Sequence, residues 1–177
     1  MAYHSCACFD AGLEDLPFPI SPALLDSALV SPNLVETLNN AEQFMVIRDY
    51  RTAAALFTAA IRQLGDPAFP GLVVNILCKR AECLLRMNYV QYVLRDCRAA
   101  ESKIGGENEY IAFLWLRALE LQGEVQAAFV QAIIFKALDP EMERDKDAVY
   151  RLKAKVMGLC GQRCVSNAHE LKWIEMQ

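Results

Sequence analysis

The sequence has no apolar run near the roughly 18 residues that a membrane-spanning helix needs. Its longest candidates, Gly71–Cys78 and Tyr110–Leu116, are far too short, so no membrane partner is expected. Basic charge is also scarce. Eighteen lysines and arginines against 22 acids leave a net charge of −4 and a pI near 5.2. A phosphate backbone is repelled by such a chain on average, which argues against a nucleic-acid partner. Only two histidines occur, His4 and His169, both in irregular stretches. There is no Ser-His-Asp set, glycine-rich phosphate loop or paired-carboxylate motif, and Gly105-Gly106 reads as a helix stop. Asp10, Glu14 and Asp15 read as a solvated acidic face. The expectation is a protein that is not an enzyme and needs no cofactor. The opening Met1-Ala2-Tyr3-His4 lacks a basic region followed by an apolar stretch, so no secretory signal is expected. Sustained period-two alternation is missing too, which excludes a sheet.

What the chain does have is apolar mass. Hydrophobic residues make up 54% and the mean hydropathy is +0.14, which suits stacked helices that bury more than one face. The seven cysteines, Cys6, Cys8, Cys78, Cys83, Cys97, Cys160 and Cys164, are odd in number and irregular in spacing. Three fall on helix faces where small apolar residues belong, which predicts reduced thiols and a cytoplasmic, intracellular setting with the nucleus left open.

A pattern of apolar and small residues returns three times. Ala41, Phe44, Tyr50, Ala53, Phe57, Ala60 and Ile61 form the first copy. Ala81, Leu84, Tyr89, Val93, Cys97 and Ala100 form the second, and Leu116, Leu119, Gly123, Ala128, Ala132 and Phe135 the third. Ala41 to Ala81 is 40 residues, and Ala81 to Leu116 is 35. The extra length between the first two copies falls at Leu64–Gly71, in a loop where added residues cost little closure entropy.

Three segments follow. Residues 1–30 are irregular, since Pro17 and Pro19 interrupt any helix, with a short helix near 22–29. Residues 31–140 hold three helix pairs. Ser31-Pro32 starts a helix from 32 to about 47, broken at Arg48-Asp49. Helices then run over about 50–64, 70–86, 89–103, 107–122 and 124–138. Their stops are Gly65-Asp66-Pro67, Asn88, Gly105-Gly106, Gly123 and Asp139-Pro140. Residues 141–177 begin with an amphipathic helix carrying Ala148, Leu152, Val156 and Leu159 on one face. Leu171, Trp173 and Ile174 then belong to one more short helix or a loose tail. The end at Glu175-Met176-Gln177 reads as that of a module within a longer chain.

Over about 33–140 the sequence resembles the tetratricopeptide repeat family. The resemblance rests on Ala53-Ala54-Ala55-Leu56-Phe57-Thr58-Ala59-Ala60-Ile61 and on Ala132-Ile133-Ile134-Phe135-Lys136-Ala137-Leu138-Asp139-Pro140. Lys79-Arg80-Ala81-Glu82-Cys83-Leu84-Leu85 is similar to a stretch common in co-chaperone modules. The resemblance implies an all-α, right-handed superhelix, an α-solenoid of three pairs with a C-terminal capping helix. It also implies an adaptor or scaffold whose first helices line a concave groove. By register, that groove presents Val35, Leu38, Glu42 and Met45, then Asn75, Cys78, Lys79, Glu82 and Arg86, then Tyr110, Phe113, Leu114, Arg117 and Leu121.

Co-chaperone modules of this family hold acidic tails in a clamp of lysine, asparagine and arginine. Here the clamp positions carry Leu38, Glu42, Lys79, Tyr110 and Leu114. Glu42 would repel a carboxylate, so the apolar stripe fits an amphipathic helix or apolar peptide of a protein partner better. Two alternatives stay open. One is self-association as a homodimer, or intramolecular docking, with residues 1–30 able to occupy the groove in cis. The other is a chaperone adaptor with a non-standard clamp. Lys79, Arg86 and Arg117 are expected to pair with Glu82, Glu42 or Glu120 on neighbouring turns rather than form a free basic strip. His4, Cys6 and Cys8, with Cys160, Cys164 and His169, lack the paired spacing of zinc knuckles, so no metal is expected.

Overall fold

The computed structural model describes residues 16–19, 33–64, 70–141 and 144–158. Six helices follow one another there: α1 (Leu34–Val46), α2 (Tyr50–Leu64), α3 (Pro70–Arg86), α4 (Val90–Ile104), α5 (Glu109–Gln122) and α6 (Val125–Leu138). A further helical stretch, α7, covers 148–158, and no strand occurs among the described residues. The fold is all-α, as the missing period-two signal requires. The short helix expected near 22–29 and the tail at 165–177 lie outside the described residues, as do the terminal cysteines and histidines.

Capping side chains set where helices begin. The expected start at Ser31-Pro32 gives way to Asn33, whose side chain accepts from the Val35 N–H at 3.0 Å, so α1 opens at Leu34. Asn108 accepts from the Tyr110 and Ile111 N–H groups at 2.9 and 3.2 Å, which moves the start of α5 to Glu109. Asp49 accepts from the Thr52 N–H at 3.1 Å and caps α2. An asparagine or aspartate there satisfies a backbone donor that the helix leaves unpaired.

Each pair turns back on itself through the same hydrogen bonds. The Asp49 N–H donates to the Phe44 carbonyl at 2.9 Å, Tyr89 to Leu84 at 2.9 Å, and Glu124 to Leu119 at 3.0 Å. These are Schellman closures, and each needs one left-handed residue. Arg48 (φ 65°), Asn88 (φ 64°) and Gly123 (φ 82°) supply it. Phe44 to Leu84 is 40 residues and Leu84 to Leu119 is 35, so the turns repeat at the spacings of the sequence pattern.

The helices stack in order. From α1 to α6 each packs on the next one along the chain, and α3 also touches α5. Small residues let the axes approach: Ala41, Ala53, Ala60, Ala81, Ala100, Ala128 and Ala132 are all buried. In α2 every residue from Thr52 to Ile61 is buried. Phe18 seats on this side of the stack, with the Arg51 guanidinium 4.9 Å over its ring and the Tyr89 ring 5.8 Å away.

One charged pair lies in the centre. Arg80 of α3 donates through Nε to Asp96 Oδ2 at 2.7 Å and through Nη2 to Asp96 Oδ1 at 2.8 Å. Its Nη1 donates to Thr58 Oγ1 of α2 at 3.1 Å, and the Thr58 hydroxyl donates to the Ala54 carbonyl at 2.9 Å. Arg80 and Asp96 are wholly buried, so three helices share one satisfied polar network. A buried fork-to-fork pair of this kind specifies register more than it adds net stability.

Candidate functional site

The first helices of the pairs, α1, α3 and α5, are tied by a single register position. Glu42, Glu82 and Arg117 are related by the 40- and 35-residue shifts, and each reaches forward to the next element. Glu42 pairs with Lys79 of α3. Glu82 accepts a hydrogen bond from the Tyr110 hydroxyl of α5. Arg117 donates to Asp145, in the segment before α7, at 3.4 Å. Burial, and then the bond to the Glu82 carboxylate, hold the Tyr110 phenol well above its ordinary value, so it stays a neutral donor.

Of the three cations expected to pair on neighbouring turns, Arg86 and Arg117 do so, and Lys79 instead reaches across from α3 to α1. Lys79 meets Glu42, Arg86 lies 3.6 Å from Glu82, and Arg117 lies 3.1 Å from Glu120. Arg144 adds a cation that sequence reading missed. It bonds to Glu109 at 3.1 Å and sits 4.8 Å over the Tyr110 ring.

Between α3, α5 and the segment before α7 lies a cleft of about 530 Å³, lined by Glu82, Leu85, Arg86, Phe113, Arg117, Leu121, Arg144 and Asp145. Five of these, Glu82, Arg86, Phe113, Arg117 and Leu121, belong to the groove read from register. Phe113 floors it, stacked on Tyr110 at 6.5 Å between centroids and tilted against Phe135 at 5.8 Å. Leu85 was legible but passed over, because it is the 40-residue counterpart of Met45. Arg144 and Asp145 carried no sequence signal, since they reach the cleft only because the chain after α6 folds back.

The remaining expected groove residues divide. Val35, Glu42 and Asn75 are exposed, while Leu38, Met45, Lys79 and Tyr110 are half-buried. Leu114 and Cys78 are not groove residues: Leu114 is fully buried and Cys78 nearly so, in the core beneath the surface. The register rule places a whole helix face, and one edge of that face turns inward where α3 and α5 pack. Burial, and next the Asp96 charge, push the Cys78 thiol up to about 12. Burial, and next the Glu82 charge, push Cys83 to about 12 as well. Both are free thiols, as is Cys97.

The far end of the cleft is closed by a charge cluster. Arg151 of α7 donates to Glu120 at 2.9 Å and to Asp145 at 2.8 Å, and Lys155 reaches Glu120 at 3.3 Å. Burial alone would raise the Glu120 carboxyl, but Arg151, Lys155 and Arg117 outweigh it and hold it below its ordinary value. The hydrogen bond from Arg151 does the same for Asp145.

A second hollow of about 340 Å³ lies beyond the α4–α5 turn, lined by Glu101, Glu107, Asn108 and Gln131 among others. Among the described residues no group of three or more histidine, cysteine, aspartate or glutamate side chains could hold a metal ion. No helix there is long and apolar enough to cross a membrane.

The fold is thus an all-α stack of helix pairs with a cleft on the side of the first helices. No protein-family model matches the chain, and no curated protein matches its sequence.

Proposed function

We propose that this chain is a tetratricopeptide-like array, a right-handed α-solenoid of three pairs closed by α7. In this reading it works as a non-catalytic adaptor or scaffold. It holds a peptide or amphipathic helix of a partner protein in the concave groove. The observation that carries the reading is the cleft, because five residues chosen by repeat register alone line it together. Apolar side chains of the partner bury against Leu85, Phe113 and Leu121, and the preformed wall limits the ordering cost on the receptor side. The test is affinity capture with mass spectrometry, comparing wild type with Leu121→Glu and with Val130→Glu on the outer side of α6. Partners lost only with Leu121→Glu support the groove. An unchanged set with Leu121→Glu overturns it.

A second reading is self-association through α6. Its apolar residues are spread round the helix, with only Gln126, Gln131 and Lys136 polar, yet Val130 and Ile133 are half-exposed, and a helix so rich in apolar residues ordinarily has more of its surface covered. Light scattering over a concentration series decides it, because a strict monomer removes this reading.

A further inference from the structure

The cleft is cationic on a protein whose net charge is −4. Arg86, Arg117 and Arg144 have side chains 59%, 40% and 42% exposed. The two carboxylates of the same lining are recessed, Glu82 at 30% and Asp145 at 12%. A ligand entering the cleft therefore meets guanidinium groups first. Glu82 and Asp145 hold Arg86 and Arg117 from beneath, while Arg144 is held by Glu109 outside the lining, and each guanidinium uses only part of a five-donor fork. Between the arginines lie Phe113 and the half-exposed Leu121, which give an apolar side chain somewhere to seat.

We propose that the partner segment is an internal acidic peptide, with a leucine- or phenylalanine-sized side chain flanked by carboxylates. The apolar residue packs on Phe113 and Leu121, and the flanking carboxylates take charge-assisted bonds from Arg86 and Arg144. The segment docks between the second and third pairs. It does not extend along the first, where Lys79 is committed to Glu42. This proposal rests on the groove-binding reading above and adds the chemistry of the ligand.

The experiment selects random phage-displayed short peptides on the full chain. Individual binders are then measured by fluorescence anisotropy. They are titrated with wild type, with the Arg86→Gln/Arg144→Gln double variant and with Leu121→Glu, all checked for native helicity by circular dichroism. The expected binders pair a leucine or phenylalanine with nearby aspartate or glutamate. They lose about tenfold or more in affinity with the double arginine variant. They weaken as salt rises, and they are indifferent to amidation of the peptide C-terminus.

Neutral or basic binders that fail with Leu121→Glu but ignore the arginine variant overturn the acidic assignment and leave groove binding standing. Tighter binding of synthetic versions of the same peptides that carry phosphoserine in place of the acids overturns the carboxylate assignment in the same way. Binders indifferent to Leu121→Glu, or no enrichment at all, overturn both readings.

Discussion

Arg80 and Asp96 face each other through two parallel hydrogen bonds of 2.7 and 2.8 Å, and neither side chain is exposed to solvent. The pair joins α3 to α4, and Thr58 extends it to α2. Asp96→Leu leaves the buried Arg80 charge uncompensated and should cost about 3–5 kcal/mol, while Arg80→Met should cost less because Arg95 still reaches Asp96 at 3.3 Å. The double replacement should recover much of that loss, because it removes both desolvation penalties together. Urea unfolding of the two single variants and the double variant measures it. Additive losses would mean that the pair is not coupled.

The three equivalent turns make a second prediction. Arg48 and Asn88 hold a left-handed backbone that Gly123 adopts without strain. Arg48→Gly should therefore stabilise the fold by about 0.5–1 kcal/mol. Asn88→Gly should gain less, since asparagine tolerates this region better. Gly123→Ala should cost about 1 kcal/mol from the backbone alone, because nothing lies within 4 Å of an added Cβ. Thermal melts in parallel rank the three.

Acid should release α7. In the unfolded chain Glu120 and Asp145 titrate near 4.5 and 3.8, and in the folded protein both lie lower. Depressed carboxyls contribute stability that is fully present above the unfolded values and lost as pH falls through the folded ones. Hydrogen exchange over 148–158 should stay slow down to about pH 4.5. Below about pH 3.8 it should open ahead of α3 and α4. Simultaneous exposure of all helices would argue against a separate ionic latch.

Two leucines of α5 should answer the same substitution in opposite ways. Leu114 is fully buried and Leu121 is 52% exposed. Leu114→Glu buries a charge in the core and should unfold the protein, while Leu121→Glu should shift stability by no more than about 0.5 kcal/mol. Circular dichroism of both variants checks this, and a folded Leu114→Glu would place that residue at the surface.

The thiols should be silent. Cys78 and Cys83 are buried and pushed up to about 12, and burial holds Cys97 well above its ordinary value. At pH 8 iodoacetamide should leave all three unmodified in the native protein and alkylate them in denaturant, as read by peptide mass spectrometry.

The sequence by itself determined the helices and their pairing. Periods of apolar and small residues such as Ala53, Phe57 and Ala60 act locally, and so do stops such as Asn88 and Gly123. They were therefore legible without knowing what touches what. The same register delivered Glu82, Arg86, Phe113, Arg117 and Leu121 to one face. Tertiary structure decided the depth of that face. Leu114 and Cys78 share the register of groove residues, yet the packing of α3 on α5 turns them into the core. It also decided which charges meet. Arg80 and Asp96 are 16 residues apart, and only the approach of α4 to α3 makes them a pair. Arg144 and Asp145 line the cleft because the chain after α6 returns to α5, a long-range closure that periodicity along one helix does not encode.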